Sequence, residues 1–210
     1  MSRSFSCPTC GGPNRFDSPV SVLAVCAYCR ATILRRDLDV EALGTMALLQ
    51  TDGSVFQLGV QGWYASVHFT IVGRIQLRYA RGLWNEWHLL FDDQRSGWLG
   101  EAQGSLAVSF LRSVSTPVPA FDALAAGQTV TLDGAAFRVA DVERGTCVAG
   151  EGELPFVVGG GYDAPVVDLI GPGTTFATLD FSETPPLVFA GHYVEFDDLR
   201  LSGLRQVDGW

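Results

Sequence analysis

Two pairs of closely spaced cysteines near the N-terminus constrain the fold of this chain more than any other feature. Cys7 and Cys10 are followed by Cys26 and Cys29, which gives the pattern C-x2-C-x15-C-x2-C. Two residues between cysteines let both sulfurs of a tight turn face one ion, and two such turns supply a tetrahedral shell of four sulfurs. The spacing therefore predicts a metal site formed by these four cysteines, and the expected ion is Zn²⁺.

The chemistry of four thiolates leaves two alternatives to zinc. A tetrahedral four-sulfur site also fits iron, and paired cysteines can act as a redox dithiol. Two matched pairs at this spacing favour a structural metal over the dithiol. Because a closed four-cysteine shell leaves no position for a substrate, the ion is expected to be structural rather than catalytic. With an apolar, β-branched run at 19–25 between the pairs, the pattern predicts a zinc ribbon over residues 1–36.

The fifth cysteine and the apolar segments bear on the compartment. Cys147 has no partner motif, and a lone cysteine in an apolar segment is usually a small core residue. The first residues lack the apolar run of a secretory signal, and no stretch approaches the ~20 apolar residues that span a bilayer. We therefore expect a cytoplasmic protein without a transmembrane segment, in a compartment where thiols stay reduced.

The charge distribution argues against binding to nucleic acid. The 210 residues include 14 arginines, no lysine and 23 acidic residues, for a net charge of −9. Four arginines and fourteen acidic residues fall within 116–210, so nearly all of the negative excess lies there. Nucleic-acid affinity comes largely from basic contacts to phosphates. The small cluster of Arg30, Arg35 and Arg36 does not offset this, and no nucleic-acid partner is expected.

Alternation of apolar and polar residues predicts antiparallel strands in the middle of the chain. In residues 68–79 one face carries Phe69, Ile71, Ile75, Leu77 and Tyr79, and the opposite face carries His68, Thr70, Arg74, Gln76 and Arg78. In residues 84–91 the pattern alternates again, with Trp87 on the apolar side and Trp84, Glu86 and His88 on the other. A turn at 80–83 makes these segments a meander in a first barrel-like domain at 37–115.

A second, acidic β domain is expected over 116–210, after a linker at 116–120 that contains two prolines. Ser66-x2-Phe69-x-Ile71 resembles Gly134-x2-Phe137-x-Val139, which leaves two alternatives: a duplicated small β-barrel, or a match that any two β-meanders would show. Short helical turns are expected at 36–43 and 121–126, each ending at a glycine. The predicted fold class is mainly β, with the ribbon followed by one or two small antiparallel barrel or meander domains.

The polar face of the predicted hairpin holds the candidate catalytic residues. Glu86 and His88 lie two apart on one strand, and Arg74 and Arg78 lie on the matching face of its neighbour. Such a cluster could bind an anion or transfer a proton. If Arg78 and Glu86 lie opposite each other, they form a cross-strand ion pair. The alternative interpretation, a solvated face with ordinary charge pairs, is the more common one.

Tryptophans at 63, 84, 87, 98 and 210 are the other notable feature, because tryptophan is enriched both in cores and in interfaces. Trp87 alternates with apolar residues and is expected in the core. Trp84 lies on the polar face and is expected to be exposed. Trp84, Glu86 and Arg78 are therefore the candidate partner-binding residues.

Several motifs resemble the bacterial family labelled domain of unknown function 4178. Besides the cysteine ribbon they are Leu58-Gly59-x2-Gly62, Phe69-x-Ile71-Val72-Gly73-Arg74-Ile75, Trp84-Asn85-Glu86-Trp87 and Gly97-Trp98-Leu99-x-Glu101. The resemblance is clear over residues 1–112 and looser beyond them. In the second cysteine turn, Ala27 and Arg30 stand where Pro and Gly are common. The resemblance implies no established reaction, cofactor or partner.

Together these features favour a non-catalytic zinc-ribbon adaptor that recognises a protein or peptide. The alternative is an enzyme or small-ligand binder that uses the face carrying Arg74, Glu86 and His88. The sequence does not determine the oligomeric state.

Overall fold

Antiparallel β-strands make up nearly all of the regular structure in the computed structural model, which describes residues 3–36, 39–158 and 162–206. The mainly β prediction is confirmed. Among the described residues no helix is long or apolar enough to cross a membrane, since the helices there are 3-10 turns at Phe121–Ala123 and Asp197–Leu199. The strands are β1 Arg3–Ser6, β2 Pro13–Phe16, β3 Leu23–Val25, β4 Ala31–Arg36, β5 Asp39–Thr45, β6 Gln61–Tyr64, β7 Val67–Tyr79, β8 Gly82–Phe91, β9 Ser96–Ala102, β10 Ser105–Arg112, β11 Thr129–Leu132, β12 Ala135–Leu154, β13 Asp163–Ile170, β14 Thr175–Asp180 and β15 Leu187–Val194.

Two consecutive meanders, β7–β10 and β12–β15, form the centre of the molecule. They are joined at both edges, because β7 pairs with β12 and β10 pairs with β15. Eight strands are thus connected in a ring of antiparallel pairings. The strands of both predicted β domains are hydrogen-bonded into this one sheet, and the proposed boundary between residues 115 and 116 lies in the connection from β10 to β11.

The two meanders belong to two similar five-stranded units, which we call the first unit (β6–β10) and the second unit (β11–β15). Each begins with a hairpin whose two turn residues have positive φ: Ala65 (47°) and Ser66 (66°) in the first, Asp133 (45°) and Gly134 (87°) in the second. Such turns match the right-handed twist of the strands they join. Each long strand then has a bulge, just after Ile71 in one and just after Val139 in the other.

The bulge in β7 overturns part of the predicted alternation. The extra residue between Ile71 and Gly73 shifts every later side chain to the other face. Arg74 therefore shares the face of Ile71, where its guanidinium lies over the ring of Trp87. The predicted pairing of Arg78 with Glu86 is also wrong, because the register places Leu83 opposite Arg78 and Ile75 opposite Glu86.

The helical turns expected at 36–43 and 121–126 are not formed as predicted. Residues 39–45 are strand β5, which pairs along β4 from Thr45 opposite Ala31 to Asp39 opposite Arg36. Residues 37 and 38 lie outside the described part of the chain. The available edge of β4 supplies backbone partners that outweigh local helix propensity. Only Phe121–Ala123 form a 3-10 turn in the other segment.

Three apolar clusters hold the sheet together. One lies on the inner side of the ring and includes Ile75, Leu77, Trp98 and Cys147. A second covers the first unit, and Trp87 is fully buried in it as predicted. The third covers the second unit around Val139. Each unit therefore buries apolar side chains on both faces of its strands.

Candidate metal centre and internal cavity

The four cysteines lie in two matching turns at the tips of the hairpins β1–β2 and β3–β4. In the first turn the N–H of Gly11 donates to the carbonyl of Cys7 (2.9 Å), and in the second the N–H of Arg30 donates to the carbonyl of Cys26 (2.8 Å). Both donors have left-handed backbones, with φ of 76° and 60°. Arg30 thus adopts a conformation that favours glycine, and its guanidinium donates to the carbonyl of Met46 (3.2 Å).

The sulfur positions suit a tetrahedral metal ion. All four ligand atoms lie within 4.8 Å of one another. The Sγ atoms of Cys7 and Cys29 are 3.7 Å apart, and those of Cys10 and Cys26 are 3.8 Å apart. Zn–S bonds of ~2.3 Å in tetrahedral geometry place the sulfurs ~3.8 Å apart. The residues present therefore fit Zn²⁺ or another ion that prefers four thiolates.

Polar donors surround the sulfurs. The N–H of Thr9 points to the Sγ of Cys7 (3.4 Å), and the side-chain amide of Asn14 points to the Sγ of Cys26 (3.5 Å). Burial raises the pKa of Cys26, but the backbone N–H groups of its own turn and the amide of Asn14 outweigh burial and lower the pKa to about 6. Such donors orient thiolates and stabilise their charge. Cys147 differs, since burial raises its pKa to about 12 and keeps it a core thiol.

The hairpin β3–β4, which carries Cys26 and Cys29, is hydrogen-bonded into the main sheet. Strand β3 pairs with the end of β12, where Leu23 lies opposite Leu154. The buried carboxylate of Glu153 accepts the N–H groups of Asp17 (2.7 Å) and Ser18 (3.0 Å). The second cysteine hairpin is therefore continuous with the ring through backbone hydrogen bonds, whereas β1 and β2 form a separate two-stranded sheet.

A buried polar network connects residues from three of the family-like motifs. Asn85 accepts hydrogen bonds from the guanidinium of Arg74 (2.7 and 3.1 Å) and donates to Glu101 (3.0 Å) and Asp52 (3.0 Å). The indole N–H of Trp87 also donates to Glu101 (3.1 Å). Arg74 forms an ion pair with Asp52. Four of these residues belong to the family-like motifs, whereas Asp52 does not, and the motifs alone did not predict the contacts among them.

The polar side chains of this network have hydrogen-bond partners. Burial raises the pKa of Asp52, but the adjacent Arg74 guanidinium and the amide of Asn85 outweigh it and hold that pKa below its ordinary value. Gln76, fully buried, donates to the carbonyl of Gln50 (3.0 Å) and accepts its N–H (2.7 Å). A buried network with its partners in place rigidifies a core rather than offering a free reactive group.

The candidate trio Arg74, Glu86 and His88 is not brought together. Arg74 lies on the network face, and Glu86 and His88 alternate to the inner face of the ring. His88 is fully buried and bonded on both nitrogens, to the carbonyl of Glu153 (2.9 Å) and the hydroxyl of Ser96 (2.7 Å). Burial lowers the pKa of His88 to about 4, so the ring is neutral near pH 7.

Two of the candidate partner-binding residues line an internal cavity instead of the outer surface. Trp84 is half-buried and donates its indole N–H to Glu86 (3.1 Å), so its predicted exposure is wrong. Burial raises the pKa of Glu86 to about 7. Arg78 is exposed, so the three residues do not form one patch. Among the other tryptophans Trp98 is buried and Trp63 is 39% exposed, and Trp210 lies outside the described residues.

A family model described as a domain of unknown function (DUF4178) matches residues 57–196. The chain belongs to this family. The matched segment contains every strand of both units and none of the four clustered cysteines. Searches of curated proteins and of solved structures find no match.

Proposed function

We propose that this DUF4178 protein is a non-catalytic adaptor whose four-cysteine site holds a structural Zn²⁺ and whose ribbon segment, residues 3–36 and 39–48, recognises another protein or peptide. The observation that carries the proposal is the closed arrangement of four sulfurs within 4.8 Å at the tips of two hairpins. Four thiolates complete a tetrahedral shell and leave no position for a substrate. Zinc is the ion expected in a reducing, cytoplasmic environment, which we also propose for this protein.

The exposed surface of the ribbon segment supports the choice of a protein partner. Strand β5 is the terminal strand of the sheet order, and nearly all of its residues are exposed. Large apolar side chains project from this region, with Tyr28 66%, Leu43 46% and Leu48 71% exposed. Edge strands with exposed apolar residues are suited to pairing with an extended segment of another chain.

The surface is less suited to nucleic acid. Two members of the basic cluster are already engaged, since Arg36 forms an ion pair with Glu41 (3.2 Å) and Arg35 lies over the ring of Phe16. With a net charge of −9 for the whole chain, few basic groups remain for phosphate contacts.

The zinc assignment is tested by metal analysis of Cys26→Ser. We expect the native protein to bind one equivalent of zinc, whereas the variant loses it and its ribbon segment unfolds, because the closed shell contributes directly to folding. Cys147→Ala is the matched control, and its zinc content should remain stoichiometric. Stoichiometric iron in the native protein, or stoichiometric zinc in Cys26→Ser, would contradict the assignment.

The partner proposal is tested by affinity capture with the zinc-loaded protein. We expect a stoichiometric protein to be retained by the native chain and lost on Leu43→Ser/Leu48→Ser. Leu111→Ser is the control, because Leu111 is also exposed (59%) but lies on β10 of the ring. Equal capture by both variants would place recognition away from the ribbon and contradict the proposal.

The alternative of an enzyme or small-ligand binder built on Arg74, Glu86 and His88 has support at one of these residues. Glu86 lines the cavity, whereas Arg74 and His88 are committed to hydrogen bonds within the core. A small-ligand role therefore belongs to the cavity and not to the predicted trio.

A further inference from the structure

The ring encloses a cavity of about 160 Å³ that opens to solvent. Side chains from seven of the eight ring strands line it, together with residues of the connection from β12 to β13. One ordered water requires ~10–15 Å³. The space is therefore sufficient for a ligand of several non-hydrogen atoms, which separates this cavity from an ordinary packing defect.

Aromatic rings form much of the cavity wall. Trp98 and Phe156 pack against each other with centroids 5.8 Å apart, and Phe176 packs against Tyr193 at 5.1 Å. The aromatic residues that line the cavity are Trp84, Trp98, Phe156, Tyr162, Phe176, Phe189 and Tyr193. The faces of aromatic rings carry negative electrostatic potential and attract cations.

The charged groups of the cavity are all of one sign. Its lining includes the carboxylates of Glu86, Glu101, Asp168 and Asp180 and, among the described residues, no arginine or histidine. Glu101 is occupied by Asn85 and Trp87 on its other side. In the described structure Glu86, Asp168 and Asp180 form no ion pair. They accept hydrogen bonds from the indole of Trp84, the hydroxyl of Thr178 (2.8 Å) and the N–H of Ser182 (2.8 Å), respectively.

This combination is costly without a counter-charge. Burial raises the pKa of both Glu86 and Asp168, and the neighbouring carboxylates add to the effect. A buried carboxylate that lacks a cationic partner must be protonated or desolvated at a cost in stability. A bound cation removes this cost, whereas an anion adds to it and a neutral apolar ligand leaves it in place.

We propose that the cavity binds a small organic cation of the alkylammonium class, with its charged group at Glu86 and Asp168 and its hydrocarbon part against Trp84, Trp98 and Phe156. Aromatic walls next to carboxylates suit an ammonium with an attached alkyl chain. A hydrated metal ion is less suitable, because the aromatic and aliphatic part of the wall cannot replace the water ligands of such an ion, whereas it packs against an alkyl chain. The proposal goes beyond the adaptor function and does not depend on the metal site.

The experiment is isothermal titration calorimetry of the full-length, zinc-loaded protein at pH 8, where Glu86 is ionised, with butylammonium chloride as the probe. We expect saturable binding to one site. Butanol and butyrate, which have similar size but zero and negative charge, should bind at least about tenfold more weakly. Equal binding of butanol, or no binding of butylammonium to the native protein, would overturn the proposal.

Two variants locate the site. Glu86→Gln should weaken butylammonium binding at least about tenfold, and Glu183→Gln, an exposed carboxylate outside the cavity, should leave it unchanged. If Glu86→Gln does not fold, Asp168→Asn serves in its place. Equal losses in the cavity variant and in Glu183→Gln would mean that net charge and not the cavity attracts the ligand, which overturns the assignment. If butylammonium binding fails while the protein still holds its zinc, the adaptor proposal is unaffected.

Discussion

The first and second units share their backbone design and differ in what their side chains do. In both, the residue before the bulge exchanges backbone hydrogen bonds with a preceding glycine loop: Gly59 donates to Ile71 and Gly127 donates to Val139, each at 2.8 Å. Ile71 lies opposite Leu89, and Val139 lies opposite Leu169. The two units therefore share the strand order of their meanders, the conformation of the first turn and the position of the bulge.

The two units differ in the side chains next to the bulge. Position 88, opposite the first bulge, is a buried histidine, and the matching position opposite the second bulge is Asp168 on the cavity. Trp87 of the polar network corresponds to Val167 in a purely apolar cluster. The first unit therefore holds a buried polar network, whereas both units contribute carboxylates to the cavity, Glu86 and Glu101 from the first and Asp168 and Asp180 from the second.

The largest expected effect is a loss of unfolding free energy when the polar network of the first unit loses Arg74. Arg74→Ala removes the guanidinium from the buried Asn85 and the half-buried Asp52, and breaking a buried pair typically costs about 3–5 kcal/mol of the free energy of unfolding. Arg144→Ala, which removes the exposed ion pair with Asp122, should leave that free energy nearly unchanged. Urea denaturation measures both. Similar losses for the two variants would contradict the distinction between the units.

An intermediate effect is expected in the pH dependence of stability. Burial raises the pKa of Glu86 from 4.5 to about 7, so between these values the folded state keeps a proton that the unfolded state has released. The free energy of unfolding therefore falls as pH rises through this window and is level above it. Asp168, whose pKa burial also raises, adds a change of the same sign.

His88 opposes this trend, because its lowered pKa makes stability rise with pH between about 4 and 6.5. The test is therefore the difference between native protein and Glu86→Gln across pH 4–8. The difference should grow in favour of the glutamine variant as the pH approaches 7. A constant difference would show that Glu86 titrates as an exposed carboxylate does.

The smallest effect concerns the two hairpin turns. Ser66 and Gly134 occupy matching left-handed positions, and nothing lies within 4 Å of a Cβ placed at Gly134. Ser66→Gly should therefore stabilise the first unit by up to about 1 kcal/mol, and Gly134→Ser should destabilise the second by a similar amount. Thermal denaturation of each variant checks the reciprocity, and a shift of the same sign in both would disprove it.

The sequence predicted the features that depend on local spacing. The cysteine pattern identified a cluster that the structure brings together, and the alternation around Trp87, Leu89 and Phe91 placed those residues in the core. The face of Arg74 was wrong because a bulge inserts one residue without a clear local signal. Gly73 does not reveal the bulge either, because the close approach of β12 accounts for this glycine: a Cβ there would lie 1.9 Å from the carbonyl oxygen of Glu153.

The cavity could not be predicted from the sequence, for a different reason. Glu86 and Asp168 are far apart in sequence, and only the pairing of β7 with β12 and of β10 with β15 places them on one inner surface. Strand β5 was missed for the same reason, because its partner β4 rather than its own sequence determines its conformation. Non-local pairing is the information that a pattern of local residues lacks.

Strand β12 links the cysteine hairpin β3–β4 to the ring that surrounds the cavity. β12 is 20 residues long and pairs in turn with β11, β13, β7 and, at its last residues, β3 of the cysteine segment. Metal loss that loosens β3 would expose the amides of β12 near Gly152, next to the seam that closes the ring. Amide hydrogen exchange rates along β12, compared with and without the metal, would therefore show which residues between the cysteines and the cavity lose protection.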